Sequence, residues 1–323
     1  MPVISVTSDP EALTLQVVAE FAVPVQRLWD AYTDPRQIEK FWGPPTYPAT
    51  FRRHDVYPGG RSEYCMVGPE GDESRGYWEW IEVDGPNSFT VLDGFALPDG
   101  SPNRDLPMCR MVFAFESVEG GSRLVTTTSY NSIDELEQLL AMGMDEGLRA
   151  AMGQIDDVVA DLTRYAAGAD TDLTILNDLQ VRVSRVIRGS VDQVWAAHHD
   201  PALLRRWMLG PDGWEMPVCE VGAEVGDTYR YEWAMPDGSN RFGFTGEVLE
   251  VAAPHRVTTT EAMIGSDGPS TRNEMTLTAC ADGTVLSTVI TYPSVELRDA
   301  ILATGMVDGM EASYARLESS VLG

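Results

Sequence analysis

The segment LWDAYTDPRQIEKFWGP, residues 28–44, has a second version in the same chain, VWAAHHDPALLRRWMLGP at residues 194–211. Counted from the first Trp of each, the two versions lie 166 positions apart. Towards the ends of the copies, SRLVTTTSYNS (122–132) matches TVLSTVITYPS (284–294). Repeats of about 150 residues are far longer than the units of solenoid proteins, so the sequence predicts two similar domains in tandem.

The two copies set the predicted domain boundaries. Residues 1–166 form the first predicted domain and residues 178–323 the second. The segment between them, 167–177, is rich in small and polar residues and is predicted to be a linker. A chain of 323 residues is long enough to bury two separate hydrophobic cores.

The composition excludes several classes of binding partner and indicates the cellular compartment. The formal net charge of −27 at pH 7 marks an acidic protein and argues against a nucleic-acid partner or an anionic membrane surface, because both require clustered Lys and Arg. The N-terminus has neither the basic start nor the apolar core of a secretion signal, and the apolar runs are too short to span a bilayer. We therefore expect a cytoplasmic protein without a membrane partner.

Each copy predicts the same order of secondary structure. It opens with an alternating strand, residues 13–21 and 179–187, whose odd apolar positions face one side. A short helix follows and ends at Asp-Pro, because a residue before proline is driven out of helical geometry. A second helical turn ends at Gly-Pro. Five more strands follow, broken by Gly, Pro and Asp-Gly turns, and the third of them covers residues 88–95 in the first copy and 256–263 in the second. Their hairpin-length connections predict antiparallel pairing.

A long amphipathic helix closes each copy. Its apolar stripe repeats every three or four residues. The stripe of the first copy contains Met144, Leu148, Met152, Ile155, Val159 and Leu162, and that of the second contains Met306, Met310, Tyr314, Leu317 and Val321. The predicted class is α+β: in each domain a curved antiparallel sheet of six or so strands wraps around the long C-terminal helix, with two short helices after the first strand. This arrangement tends to leave a hollow between helix and sheet.

Several motifs carry a family resemblance. The first copy contains VPVQRLWDAYTDP, FWGP, YPGGRSEYCM (57–66) and GMDEG before the last helix. The second contains GSVDQVWAAHHDP, WMLGP, VGDTYRYEWAM and TGMVDGM, with an extra residue at Leu209 and Gly226–Asp227 in place of Gly59–Gly60. Together they resemble the activator-of-Hsp90-ATPase-like branch of the START/Bet v-like (SRPBCC) superfamily. The resemblance covers almost the whole chain.

The resemblance implies a helix-grip domain with a cavity for an apolar small molecule. We expect a hydrophobic or aromatic small molecule to bind in one or both cavities. Two alternatives stay open: a cofactor-independent cyclase, dehydratase or hydrolase that uses acid–base catalysis on a polyketide-like ligand, and a stress-related, co-chaperone-like protein-interaction module. Because single-domain relatives often pair, we expect a monomer whose two domains pair about a pseudo-two-fold axis.

Aromatic and methionine residues at matched positions are the candidate cavity walls. Aromatic side chains with a polar group suit small-molecule sites, although the same residues are also typical of plain sheet packing. The candidates are Trp42, Tyr64, Met66, Met144 and Leu148 in the first copy and Tyr229, Tyr231, Trp233, Met306 and Met310 in the second.

A carboxylate stands at the same place in both copies, Asp93 in one and Glu261 in the other. Each is in phase with apolar residues of its strand. A carboxyl group in an apolar pocket has a raised pKa and can act as a general acid or base. The alternatives are a solvated strand end or an ion pair with a nearby arginine, Arg110 or Arg272.

Tyr130 and Tyr292 complete the candidate catalytic set. They stand at the matched ends of the last predicted strands, where each could donate a hydrogen bond to a ligand carbonyl or simply cap the sheet. The chain has no nucleophile-elbow, zinc-protease or phosphate-loop motif. Its four cysteines are scattered and contain no Cys-x-x-Cys pair. We expect neither a metal nor a cofactor.

Overall fold

The computed structural model describes residues 3–144, 146–155, 170–210 and 213–322. The chain divides into two compact units, Met1–Gly168 and Ala169–Gly323. Each unit contains one eight-stranded sheet and helices that follow its second and last strands. The predicted α+β class is confirmed.

The first domain begins with an edge strand and ends, within the described residues, in a helix. Its strands are β1 (Val3–Asp9), β2 (Thr14–Phe21), β3 (Ala49–His54), β4 (Arg61–Val67), β5 (Glu73–Asp84), β6 (Ser88–Phe95), β7 (Cys109–Val118) and β8 (Gly121–Ser129). Its helices are α1 (Val25–Thr33), α2 (Pro35–Ile38), α3 (Ile133–Ala141) and α4 (146–155). The sheet order is β1-β2-β8-β7-β6-β5-β4-β3, and neighbouring strands are antiparallel.

The second domain repeats this topology. Its strands are β9 (Asp172–Ile175), β10 (Gln180–Ile187), β11 (Glu215–Glu220), β12 (Thr228–Ala234), β13 (Phe242–Ala252), β14 (Arg256–Met263), β15 (Thr271–Cys280) and β16 (Gly283–Thr291). Its helices are α5 (Val191–His199), α6 (Pro201–Trp207), α7 (Val295–Leu302) and α8 (Met306–Leu317), followed by a π-helical turn at Glu318–Leu322. The sheet order is β9-β10-β16-β15-β14-β13-β12-β11.

The six predicted strands of each copy are present, and β6 and β14 have the predicted bounds. Each sheet gains two further strands at its edges, β1 and β3 in the first domain and β9 and β11 in the second. Strand β9 lies inside the segment that the sequence predicts as a linker. The edge strands β1 and β9 contain no fully buried residue, and β9 is only four residues long, so the pattern that identifies a half-buried strand is weak in both.

Two helices also go beyond the prediction, α3 and α7. Both start at a serine that caps the helix: Ser132 Oγ accepts from the Glu135 N–H, and Ser294 Oγ accepts from the Leu297 N–H, each at 3.2 Å. A serine before a helical segment is a recognised helix-start signal, so the sequence contains a signal for the start of both helices.

The Asp-Pro dipeptide has two roles in each copy. Asp34 ends α1, and its side chain accepts a hydrogen bond from the Arg36 N–H at 2.9 Å, which caps α2. Asp200 ends α5 and caps α6 in the same way, accepting from the Ala202 N–H at 2.7 Å. The proline then occupies the first helical position, where its missing N–H costs nothing. The dipeptide therefore stops one helix and starts the next.

The closing helices bury part of each predicted stripe and leave Met144, Met306, Met310 and Val321 half-buried. Leu148, Met152 and Ile155 of α4 are buried, and so are Tyr314 and Leu317 of α8. Two further positions of the first stripe, Val159 and Leu162, lie outside the described residues.

The two cores differ in continuity. The buried apolar residues of the first domain form one cluster, in which Phe89 stacks on Phe113 with ring centroids 4.5 Å apart and Trp29 meets Phe89 edge-on at 5.8 Å. Those of the second domain form three clusters, which contain Trp207, Tyr292 and Trp233 respectively. The two similar sequences therefore form one continuous aromatic core in the first domain and a core divided into three clusters in the second.

Candidate functional site

A cavity of about 360 Å³ opens in the first domain between the sheet and the helices that cover it. The sheet contributes side chains from β4, β5, β6 and β7, and the opposite wall comes from α3, α4 and the turn that joins them. The lining residues are Trp42, Gly43, Pro44, Tyr47, Tyr64, Met66, Ser74, Arg75, Gly76, Asp93, Gly94, Phe95, Pro107, Cys109, Met111, Leu139, Met142, Gly143, Met144, Gly147, Leu148 and Ala151.

Asp93 places a carboxylate on the sheet side of this cavity. It is two positions after the fully buried Val91 of β6 and shares that residue's side of the sheet. The two flanking strands present Trp78 of β5 and Cys109 of β7 directly opposite it. Asp93 keeps part of its surface accessible because it faces the hollow.

Three donors converge on this carboxylate. Trp78 Nε1–H donates to Asp93 Oδ1 at 2.8 Å, and the Tyr64 hydroxyl donates to the same oxygen at 3.2 Å. The Cys109 thiol lies 3.8 Å from Oδ2. Its partners among the described residues are thus three uncharged groups, so neither an arginine pair nor full solvation describes the side chain.

A glycine makes the tyrosine contact possible. Tyr64 of β4 pairs directly with Gly76 of β5, and its ring lies over that residue. A Cβ at Gly76 would come within 2.3 Å of Cζ and of the hydroxyl oxygen of Tyr64. Glycine in a strand often marks such a close approach. The ring then crosses the strand and reaches Asp93 on β6.

Burial dominates the protonation equilibria of the cavity. It raises the pKa of the Asp93 carboxyl to about 6, while the hydrogen bonds from Trp78, Tyr64 and Cys109 oppose that rise. Burial and then the Asp93 charge raise the pKa of the Tyr64 phenol well above its ordinary value, and the same two causes raise that of the Cys109 thiol. Near neutral pH the site therefore contains a neutral phenol, a neutral thiol and a carboxyl group close to its midpoint.

The remaining polar side chains lie elsewhere on the lining. The Arg75 guanidinium forms an ion pair with Glu73, which is not itself a lining residue. The Tyr47 hydroxyl donates to Asp72 Oδ2 at 2.7 Å. Both groups thus have acidic partners of their own, separate from Asp93.

All five predicted wall residues of the first copy line this cavity: Trp42, Tyr64, Met66, Met144 and Leu148. The candidate acid Asp93 lines it with them. Tyr130 does not; it is buried behind the wall, with its hydroxyl 3.4 Å from the Met144 sulfur. The structure therefore brings Asp93 together with Tyr64 rather than with Tyr130, and a role for these residues in binding or catalysis stays a prediction.

In the second domain, Glu261 also receives a phenol. The Tyr229 hydroxyl donates to Thr260 O at 2.8 Å and lies 3.4 Å from Glu261 Oε2. Burial raises the pKa of the Glu261 carboxyl, and hydrogen bonds from Tyr229 and Asn273 oppose that rise. Arg272 pairs with Glu274 at 3.6 Å.

The other candidates of the second domain fall into two groups. Tyr231 and Trp233 belong to one cluster, with rings 6.4 Å apart, and Trp233 Nε1–H donates to Met208 O at 2.7 Å. Tyr292, Met306 and Met310 belong to another cluster, where the Tyr292 hydroxyl lies 3.9 Å from the Met306 sulfur. The Tyr292–Met306 contact has the same sequence spacing as Tyr130–Met144.

Sequence reasoning missed Trp78, Cys109 and Arg75. Trp78 was visible as one of two tryptophans in the strand GYWEWIEVD, in phase with Gly76. Cys109 and Asp93 become neighbours only through the register of β6 against β7. A strand pattern predicts which side a residue faces, but it does not predict which residue of the next strand lies opposite.

A curved antiparallel sheet, two short helices after its second strand, and a C-terminal helix that covers a hollow define a helix-grip domain, here present twice. The family model described as Activator of Hsp90 ATPase homolog 1-like protein matches residues 22–160 and, a second time, residues 188–321. The chain belongs to this family and carries two tandem copies of its domain, which confirms the resemblance seen in the sequence. No curated protein matches the chain.

Several solved structures are similar to about half of the chain. A crystal structure from Mycobacterium smegmatis is 50% identical, with 49% of this chain and 96% of its own covered and a TM-score of 0.46. An NMR structure from Arthrobacter aurescens is 39% identical, with coverages of 49% and 92% and a TM-score of 0.47. A crystal structure from Rhodobacter sphaeroides is 30% identical, with coverages of 46% and 95% and a TM-score of 0.44.

The described residues lack the features of two other kinds of site. None of the helices in the described part of the chain combines the length and the apolar character needed to cross a membrane. Residues 3–144, 146–155, 170–210 and 213–322 contain no group of three or more His, Cys, Asp or Glu side chains placed to hold a metal ion.

Proposed function

We propose that the first domain binds a hydrophobic or aromatic small molecule in its cavity. The observation that carries this proposal is a hollow of about 360 Å³ with aromatic and methionine walls and, among its described lining residues, a single carboxylate. Small-molecule sites typically enclose about 300–1,000 Å³, are mostly apolar, and contain a few polar groups that orient the ligand. The helix-grip family is consistent with such a scaffold.

The wall opposite the sheet is suited to ligands of varied shape. Met142, Gly143 and Met144 join α3 to α4 and line the cavity. Gly143 has a positive φ of 83°, which lets the chain turn sharply there. Methionine side chains are unbranched and polarizable, so they adapt to different apolar surfaces.

Native mass spectrometry of the full chain, compared with its denatured mass, tests the proposal. We expect an additional mass of a few hundred daltons that is lost on denaturation; this range corresponds to the ligand sizes that such a cavity holds, roughly 10–30 non-hydrogen atoms.

A matched pair of variants places the bound molecule. Gly147 lines the cavity and a Cβ there meets no atom within 4 Å, so Gly147→Phe would fill the hollow. Gly153 lies on the same helix, is exposed, and also has open space around it. We expect G147F to lose the bound mass and G153F to keep it. Retention by both variants, or no bound mass even after incubation with aromatic and aliphatic compounds, would contradict the proposal.

A second candidate function is acid–base catalysis on the bound molecule. The contact that favours it is Tyr64 O–H to Asp93, because a carboxyl group with a pKa of about 6 can both hold and accept a proton near neutrality. Incubating the recovered ligand with the wild type and with Asp93→Asn, and then measuring product masses, tests it. Conversion by the wild type alone supports catalysis, whereas a ligand that is never converted leaves binding as the function.

Further proposals concern the oligomeric state and the cellular location of the protein. We propose a monomer that acts in the cytoplasm, with the two domains paired about a pseudo-two-fold axis. Light scattering of the purified chain tests whether the protein is a monomer, since a dimer would have twice the mass.

A further inference from the structure

The charge of the cavity is concentrated in one group. Among the described lining residues, Asp93 is the one carboxylate and Arg75 the one cation. Arg75 has Glu73 as its ion-pair partner. The influences on the ionisation of Asp93 are its burial and the three neutral donors Trp78, Tyr64 and Cys109. An ionised carboxylate that protein has largely removed from water, without a cation beside it, is costly.

The two oxygens of Asp93 are unequally satisfied. Oδ1 accepts from both Trp78 Nε1–H and the Tyr64 hydroxyl, which fills its two lone-pair directions. Oδ2 has the Cys109 thiol at 3.8 Å, and a thiol is a weak donor. Oδ2 therefore has the capacity to accept from a stronger donor, and a ligand in the cavity that Asp93 lines can supply one.

The walls of the cavity favour a cation with an apolar body. Trp42 and Tyr64 line the cavity and meet edge-on, with ring centroids 6.1 Å apart. The electron-rich faces of aromatic rings attract cations, most strongly where water is excluded. Met66, Met111 and Leu148 supply apolar surface for the rest of a ligand.

We propose that the ligand of the first domain is an organic amine, bound as its ammonium ion with an N–H donating to Asp93 Oδ2 and with its hydrocarbon part against the aromatic and methionine walls. The inference rests on the proposed ligand binding and specifies the chemical class of the ligand. It adds no covalent step. The ammonium supplies a positive charge that the described residues do not place beside Asp93.

The pH dependence of binding follows from the groups around Asp93. These are Tyr64 on β4, Cys109 on β7, and Tyr77 and Arg75 on β5. The described lining positions of α3, α4 and their connecting turn are Leu, Met, Gly and Ala. Tyr64, Tyr77 and Cys109 stay neutral over pH 5–8, because their pKa values are raised. The titrating group in this range is Asp93 itself, so an ammonium ligand binds less tightly as the pH falls below about 6.

Calorimetric titration of the full chain with two probes of equal size tests the inference. The probes are 1-naphthylmethylamine and the neutral 1-naphthylmethanol. At pH 7.5 we expect the wild type to bind the amine at least about tenfold more tightly than the alcohol, since a hydrogen bond between charged groups is the stronger kind. In Asp93→Asn the ratio should fall to near one, and in Glu82→Gln, an exposed acid on β5, it should stay as in the wild type. As the pH falls below 6, the amine affinity of the wild type should decline towards that of the alcohol, because protonation of Asp93 removes its preference for the ammonium ion.

The outcomes separate the ammonium ligand from ligand binding as such. If the alcohol binds as well as the amine in both the wild type and D93N, the ammonium inference is wrong and the apolar cavity still binds. If the alcohol binds more tightly as the pH falls through 6, Asp93 acts as a proton donor to a neutral ligand, and the inference is equally wrong. If neither probe binds and native mass spectra show no bound mass, both proposals fall. Near-ultraviolet circular dichroism of D93N establishes that a lost ratio reflects a folded protein.

Discussion

Asp93 and Glu261 occupy matched positions of β6 and β14, yet the two domains bring a phenol to them in different ways. In the first domain Tyr64 of β4 lies over Gly76 and donates to Asp93. In the second, Tyr229 of β12 lies over Gly246 and approaches Glu261.

The sequence counterpart of Tyr64 in the second copy is Tyr231, not Tyr229. The tyrosine that meets the acid has therefore moved by two residues along the same face of the strand. The partner glycine is different too, Gly76 in one sheet and Gly246 in the other. Both copies therefore pair a buried acid with a phenol that lies over a glycine, but they build this arrangement from different positions.

Substituting Gly76 and Gly246 should have the largest effects on the free energy of unfolding and should separate the two domains most clearly. In Gly76→Ala the new Cβ meets only the Tyr64 side chain among its nearest atoms, at 2.3 Å. In Gly246→Ala it meets the backbone oxygen of Thr260 at 1.8 Å as well as the Tyr229 ring at 2.8 Å. We expect each substitution to lower the free energy of unfolding by about 3 kcal/mol, measured by urea denaturation.

The double variants distinguish the two glycines. Adding Tyr64→Leu to G76A removes the clash and should recover most of the loss. Adding Tyr229→Leu to G246A should not, because a backbone oxygen cannot be trimmed away. Equal recovery in both domains would contradict this difference.

The pH dependence of stability should give the next largest effect. Burial raises the pKa of Asp93 in the folded chain from 3.8 to about 6. The stabilising contribution of the protonated group is therefore complete below pH 3.8 and is lost as the pH rises through about 6. Relative to the wild type, ligand-free Asp93→Asn should gain about 2–3 kcal/mol in unfolding free energy between pH 3.8 and pH 7.5.

Glu261→Gln is the matched variant for the second domain. Because burial also raises the pKa of Glu261, the sign should be the same. A difference between variant and wild type that stays constant from pH 3.8 to 7.5 would show that the folded-state pKa is not raised.

Removing the hydrogen-bond donors to Asp93 one at a time should show how much each of them lowers the pKa of this carboxyl group. Trp78→Phe takes away the shorter hydrogen bond to Asp93 Oδ1, and Tyr64→Phe takes away the longer one. Each bond favours the ionised carboxylate, so each loss should raise the pKa of Asp93, by about one pH unit for W78F and by less for Y64F. Carbon-13 NMR of the carboxyl group measures both. A larger rise in Y64F would reverse the assigned strengths.

The smallest effects concern the helix starts that both copies share. Ser132→Ala and Ser294→Ala each remove an N-cap hydrogen bond of 3.2 Å, at α3 and α7 respectively. We expect each to cost about 1 kcal/mol in unfolding free energy. Only S132A should also weaken binding of a naphthalene probe, because α3 contributes Leu139 to the cavity wall. Equal weakening by S294A would place ligand contacts in the second domain as well.

The sequence predicted most of the fold because the duplication shows each predicted element twice. The Asp-Pro junctions at Asp34 and Asp200, for example, carry the same helix signal in both copies. The predicted strands β6 and β14 have the bounds found in the structure. The edge strands β1 and β9 were missed because hydrogen bonding to one neighbour defines them, and neither contains a fully buried residue.

The site was predictable only in part. Alternation placed Asp93, Tyr64 and Met66 on the inner side of the sheet, and the helical stripe placed Met144 and Leu148 opposite them. The donors Trp78 and Cys109 depended on the register between strands, which no local pattern specifies. Tyr130 joined the candidate catalytic set because of its hydroxyl and its matched position at the end of the last predicted strand, but its hydroxyl lies by the Met144 sulfur and not by Asp93.

Methionine methyl NMR of the full chain tests most directly whether the first domain is the ligand site. Met66, Met111 and Met144 line its cavity, whereas Met216 and Met275 pack in the second domain. On saturation with 1-naphthylmethylamine, we expect ring-current shifts in the methyl signals of the first three and unchanged signals from the other two. Shifts confined to the second domain, or no shift at any of the five, would contradict the assignment of the ligand site.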